Sequence, residues 1–137
     1  MKGDDCIFFQ LAKANQTAAR YWSKKIGPLN VTAVQGMVLT FLSEEDQVTS
    51  SNLGQRTQLD SATLTGILDR LEGIALVERR PNPEDRRAIL IRLTKKGNNI
   101  TGRIGEAMEQ GNRGFLSVLT AEENSMLRGL LKKIRRK

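Results

Sequence analysis

The most concentrated chemistry in this chain lies in a short run, Pro81-Asn82-Pro83-Glu84-Asp85-Arg86-Arg87, set between two apolar segments. Pro and Asn at these spacings make a turn, so Arg86 and Arg87 stand at an exposed tip. Guanidinium groups there suit phosphate oxygens or a narrow groove of negative potential. A second set is small and polar: Ser61, Ala62, Thr63, Thr65 and Gly66, with Arg70 further along. Low bulk at the start of a helix lets backbone and hydroxyls come close to base edges. Ser50, Ser51 and Gln55 precede them and could hold phosphates by hydroxyl, amide and backbone N–H.

Other chemistry is excluded by residue type. The chain has no His, which removes the commonest general base and metal ligand. It has one cysteine, Cys6, and no Cys-x-x-Cys or carboxylate cluster at metal spacing, so no zinc site or cofactor is expected. There is no P-loop and no Gly-x-Gly-x-x-Gly, and Glu44-Glu45-Asp46 reads as a solvated loop. Enzymatic activity is not expected. A lone cysteine forbids an intrachain disulfide and fits a reducing cytoplasm. Met1 to Asp5 is polar and acidic with no signal-peptide run behind it, and no window approaches 18 uncharged apolar residues, so no membrane association is expected.

The charge is segregated. Of a net +7, residues 76–103 hold eight basic and three acidic side chains, and residues 128–137 six basic and none acidic. Segregated positive charge fits a polyanion partner. By itself it fits a solvated face equally well.

The elements that position these groups follow from periodicity and caps. Ile7, Phe8, Leu11, Ala14, Ala18, Trp22 and Ile26 predict an amphipathic helix over 6–26, ended by Gly27-Pro28. Thr32-Ala-Val-Gln35 is a capping box opening a second helix with Val34, Met37, Val38, Phe41 and Leu42 on its apolar face. A short third helix starts at Thr49 or Ser50 and contains Leu53. A fourth is capped by Asp60 or Ser61, runs to about Ile74, and buries Leu64, Ile67, Leu68 and Leu71. The period then changes: residues 76–80 and 88–93 predict two strands of a hairpin whose tip is the Arg86-Arg87 loop. Thr94 caps a fifth helix carrying Ile100, Ile104, Met108, Phe115 and Leu116, weakened by Gly102, Gly105, Gly111 and Gly114. Thr120-Ala-Glu-Glu123 opens a last helix with Met126, Leu127, Leu130, Leu131 and Ile134. The fold class is mainly α with a small β-hairpin wing: a winged helix-turn-helix over 29–97, flanked by helical dimerisation regions at 1–28 and 98–137.

Capped, striped helices occur in any helical protein, but particular runs here say more. Leu68-Asp-Arg-Leu-Glu72, Leu76-Val-Glu-Arg-Arg80, Pro83-Glu-Asp-Arg-Arg87 and Leu90-Ile-Arg-Leu-Thr-Lys-Lys-Gly97 together resemble the MarR family of transcription regulators over roughly residues 28–100. The resemblance implies a homodimer with interlocked terminal helices and two winged lobes on double-stranded DNA. It implies an Asp85–Arg87 pair in which the Asp orients the Arg toward the minor groove, and a DNA-facing Arg70. One position departs: the Gly expected before Leu76-Val77 is Ala75, with Gly at 73 instead, which predicts an earlier helix end. The expected function is binding to a palindromic operator so as to repress, or less often activate, nearby genes. Release follows by a small apolar or aromatic ligand at Trp22, Ile26, Met37 and Phe41, or by oxidation of Cys6, which loosely resembles a peroxide-sensing position in the family. A DNA-coating protein without sequence preference, and a winged helix used only for protein contact, are the alternatives.

Overall fold

The computed structural model describes residues 1–45 and 47–136; Asp46 of the acidic loop and Lys137 lie outside the described residues. Six α-helices and three short strands follow in chain order: α1 (Ile7–Ile26), α2 (Ala33–Glu44), β1 (Val48–Thr49), α3 (Ser50–Thr57), α4 (Ser61–Gly73), β2 (Val77–Pro81), β3 (Ile89–Leu93), α5 (Lys95–Phe115) and α6 (Ala121–Arg135).

Local sequence sets most of these boundaries. Thr32 and Thr120 form the expected capping boxes with Gln35 and Glu123. Thr49 caps α3, Asp60 caps α4 and Thr94 caps α5, each accepting a backbone N–H near the start of the next helix. Each such cap contributes about 1 kcal/mol. Gly27-Pro28 does not end the first helical segment outright. Chain direction changes through a single 3₁₀ turn, Gly27–Leu29, closed by Asn30 in the left-handed region at φ 59°.

The core is one cluster. Ile26, Val38, Leu39 and Leu42 from α1 and α2 meet Leu53 of α3, the α4 stripe Leu64, Ile67, Leu68 and Leu71, and Val77, Ile91 and Ile104 from the sheet and α5. Leu39 is as deeply buried as any of them and widens the apolar face of α2 beyond the stripe seen in sequence.

The wing has three strands rather than two. β3 sits centrally, paired antiparallel with β2 from Val77↔Leu93 to Pro81↔Ile89, and with β1 through Val48↔Ile91 and Thr49↔Leu90. This third strand ties the α2–α3 connection to the middle of β3.

The end of α4 departs from the sequence expectation. Gly73 remains helical, and Ala75 takes the left-handed conformation at φ 61°. The Ala75 N–H donates to Glu72 O (3.0 Å) and the Leu76 N–H to Leu71 O (2.9 Å), the paired reverse bonds of a Schellman cap. A non-glycine residue there costs roughly 1–2 kcal/mol of local strain. Ala75→Gly should therefore raise stability by up to about 1 kcal/mol once the greater chain entropy of Gly is subtracted, measured as a higher urea midpoint with unchanged m-value; a lower midpoint would show that the cap carries no strain.

Candidate nucleic-acid interface

The cap and hydrogen bonds of α4 set what its exposed face can offer. Asp60 Oδ1 accepts the Thr63 N–H (2.8 Å), and the Thr63 hydroxyl donates to Asp60 Oδ2 (2.7 Å). These bonds, the backbone one foremost, hold the Asp60 carboxyl below its ordinary range. The Thr65 hydroxyl donates to Ser61 O (2.8 Å). Both threonine protons are thus spent inside the helix, leaving oxygen lone pairs and methyl groups outward. Ser61, Ala62, Thr63, Thr65 and Arg70 are exposed on one element, with Gly66 half-buried among them. Ser51 and Gln55 are exposed on α3, and Ser50 is half-buried at its first turn.

The wing sorts its arginines into two groups. Arg79 on β2 reaches back to α4: its guanidinium pairs with Asp69 and with Glu72 (3.2 Å), and its backbone N–H donates to Glu72 Oε2 (3.2 Å). Arg92 pairs with Glu78 directly across the ladder (2.9 Å), and Arg80 pairs with the same carboxylate (3.1 Å). The hydrogen bond from Arg79 holds the Glu72 carboxyl below the usual range, that from Arg92 does the same for Glu78, and the Arg79 guanidinium is raised in turn. Arg70, Arg86 and Arg87 form no ion pair among the described residues. Their charge is left for an external anion.

The tip is closed by its own polar side chains. Asn82 Oδ1 accepts the Glu84 N–H (3.0 Å) and Asp85 Oδ1 accepts the Arg87 N–H (3.0 Å), while backbone bonds join Asn82 to Ala88. Asp85 therefore acts on Arg87 through the main chain: it fixes where Arg87 leaves the loop, and the guanidinium is not clamped.

Away from this face, a cavity of about 660 Å3 lies between α1, α2 and α5. Trp22, Met37 and Phe41 line it as expected. Ile26 does not: it is 1% exposed, in the core, its side chain seated against Gly36 of α2 where no Cβ stands in the way. Sequence reasoning missed Tyr21, Met108, Phe115 and Leu116, which complete the walls. Their helical spacing marked the latter three as apolar, but pairing of α5 with α1 was not legible. Cys6 is the N-cap residue of α1, half-buried, with no capping bond from its thiol.

No single helix among the described residues is long and apolar enough to cross a membrane. An outward-facing helix with a small polar first turn, carried on a three-helix core beside an arginine-tipped wing, defines a winged-helix DNA-binding protein. Comparison with known proteins agrees. A model of the MarR family matches residues 31–89. The multiple antibiotic resistance protein MarR of Escherichia coli is 35% identical over 121 residues, 88% of this chain and 84% of that one. The organic hydroperoxide resistance transcriptional regulator of Bacillus subtilis is 33% identical over 97 residues, 71% and 66% of the two chains. A crystal structure of a mutant Escherichia coli MarR complexed with operator DNA matches at TM-score 0.86 and 32% identity, covering 91% of this chain and 90% of that one. The chain belongs to the MarR family; it is a DNA-binding transcription regulator and not an enzyme.

The Arg79 latch has a pH signature. Glu72 has a lowered folded-state pKa, so its contribution is fully present above the unfolded value near 4.5 and is lost as pH falls through the folded value. The stability advantage of the wild type over Glu72→Gln should shrink on acidification below that unfolded value, read by urea unfolding at a series of pH values. An advantage independent of pH would remove the ion pair from the account.

Proposed function

We propose that the protein binds, as a homodimer in the cytoplasm, a palindromic operator and represses, or less often activates, the adjacent genes. Residues 29–97 serve as the DNA-binding lobe, and 1–28 with 98–137 as the dimerisation region. The observation that carries the DNA reading is the division of wing arginines: Arg79, Arg80 and Arg92 are consumed by carboxylates, while Arg86 and Arg87 at the exposed tip form no ion pair among the described residues. In this docking, Ser61 to Arg70 face a major groove, Ser50, Ser51 and Gln55 hold phosphates, and Arg87 enters the flanking minor groove.

The dimer reading is supported by apolar surface without a partner in its own chain. No residue of α6 is buried, and Met126, Leu127, Leu130, Leu131 and Ile134 are all exposed, as are Ile7, Phe8, Phe9 and Leu11 on α1, with Phe8 at 79%. Contiguous exposed patches of this kind mark an interface, and a second copy covering them supplies the two-fold symmetry that a palindrome requires.

Because both recognition-helix threonines donate internally, direct base readout is modest and flank shape supplies much of the discrimination. Arg87→Ala should weaken binding to an operator with A·T-rich flanks by roughly 1–3 kcal/mol without unfolding the protein, while Arg80→Ala, whose charge is already paired, should cost much less. Fluorescence anisotropy on the two variants checks this, and equal losses would remove the wing tip from the mechanism.

Release is assigned to a small apolar or aromatic ligand in the α1–α2–α5 cavity, whose volume falls in the range of ligand sites. It joins a helix that carries the dimer face to the α2 helix of the DNA-binding lobe, so an occupant that spreads them changes the spacing of the two lobes. Oxidation of Cys6 is the second route, favoured by the hydroperoxide-resistance regulator among the relatives. Under it, peroxide releases the wild type from DNA and leaves Cys6→Ser bound, with both proteins binding equally before treatment. Equal release of both proteins, or of neither, would remove Cys6 as the sensor.

A further inference from the structure

The cavity between α1, α2 and α5 is built for a ligand without charge. Its walls are Trp22, Tyr21, Phe41 and Phe115 with aliphatic and thioether groups between them, and none of its lining residues is acidic or basic. Few polar groups border it, and most are already occupied. The Thr40 hydroxyl donates to Gly36 O (2.8 Å). The Asn112 amide donates to Met108 O (2.8 Å), and its oxygen accepts from Arg128 (3.0 Å). The Tyr21 hydroxyl and Trp22 indole N–H make no hydrogen bond among the described residues and remain as handles.

A carboxylate or phenolate entering such a site gives up hydration and finds no cation among the lining residues; Arg56, over the Phe41 ring at 5.3 Å, is paired with Glu44. An uncharged ring gives up almost nothing and gains stacking against the aromatic walls. Arg128 stands behind Asn112 rather than in the wall, and its fork is engaged by two amide oxygens, those of Asn112 and Asn124. The concavity is also distinct from the surface that calls for a second copy: of the exposed apolar residues on α1 and α6, only Tyr21 belongs to both. This separates a small-molecule occupant from the dimer partner.

We propose that the effector is an electrically neutral aromatic molecule, with at most one or two hydrogen-bonding groups directed to Tyr21 and Trp22, and that the cavity discriminates against aromatic anions of the same shape. The proposal rests on the reading of this cavity as the release site.

Trp22 is the chain's only tryptophan, so its fluorescence reports occupancy of the cavity directly. 4-Nitrobenzamide and 4-nitrobenzoate differ little in shape, differ in charge at pH 7.5, and both quench indole on contact. With the full-length protein, the amide should quench Trp22 saturably, with a Kd at least tenfold below that of the benzoate. Met37→Lys, which places an ammonium on a side chain of similar length in the wall, should tighten the benzoate at least tenfold and reverse the preference; if that variant does not fold, the wild-type comparison decides. Benzoate binding as tight as the amide to the wild type would overturn the charge selectivity and leave the cavity reading standing. Saturable quenching by neither probe would overturn the cavity reading and the selectivity with it.

Discussion

The helix α4, the wing and the long helix α5 are joined at one point, the backbone of Ile74-Ala75-Leu76. The left-handed turn at Ala75 reverses the chain out of α4 and aims it into β2. Three carbonyls freed there are all taken by residues that begin α5. Lys96 Nζ donates to Ile74 O (3.1 Å), the Thr94 hydroxyl to Ala75 O (2.6 Å), and the Thr94 N–H to Leu76 O (3.1 Å). The approach is so close that a Cβ on Gly97 would run into the Leu76 carbonyl oxygen. The end of α4, the start of β2 and the start of α5 are therefore held by a few hydrogen bonds around one unusual backbone conformation. A shift of α5 is transmitted to α4 and to the root of the wing together, because packed and hydrogen-bonded elements move as units.

This arrangement explains why the wing's charge is divided. Arg79 adds a second attachment of β2 to α4 through Asp69 and Glu72, and the Glu78–Arg92 pair stiffens the ladder above it. Arginines near the root thus serve geometry, and those at the tip carry no ion pair among the described residues. Paired guanidiniums lose little by being half-exposed, since exposed ion pairs are worth at most about 1 kcal/mol each. Their value here is directional: they fix the angle between α4 and the wing.

Local rules were readable where a short stretch decides its own conformation. Thr32 with Gln35 and Thr120 with Glu123 announce helix starts through side chains three residues apart, and Pro81-Asn82-Pro83 announces a turn. β1 was not legible because two residues, Val48 and Thr49, carry no period; only their pairing with Ile91 and Leu90 makes them a strand. Ala75 was misleading, since the absence of Gly suggested that the helix end had moved to Gly73, whereas contacts from Thr94 and Lys96 impose the left-handed turn on alanine. Arg79 looked like its neighbours Arg80 and Arg86, because which arginines meet carboxylates depends on strand register and on the α4 face opposite. The cavity was half legible: Trp22, Met37 and Phe41 were on the right faces, but Ile26 belongs to the core, and Tyr21 and Phe115 come together only when α5 crosses α1, at a ring separation of 5.3 Å.

Everything in the functional account depends on two equivalent lobes presenting α4 and the wing tip to one face of DNA. Selection of bound duplexes from a random pool by the wild-type protein tests that most directly. The account predicts an inverted repeat whose half-site centres lie about one helical turn, ten base pairs, apart, flanked by A·T-rich steps where Arg87 meets a narrow minor groove. Recovered sequences with neither inverted symmetry nor a flank preference would contradict it.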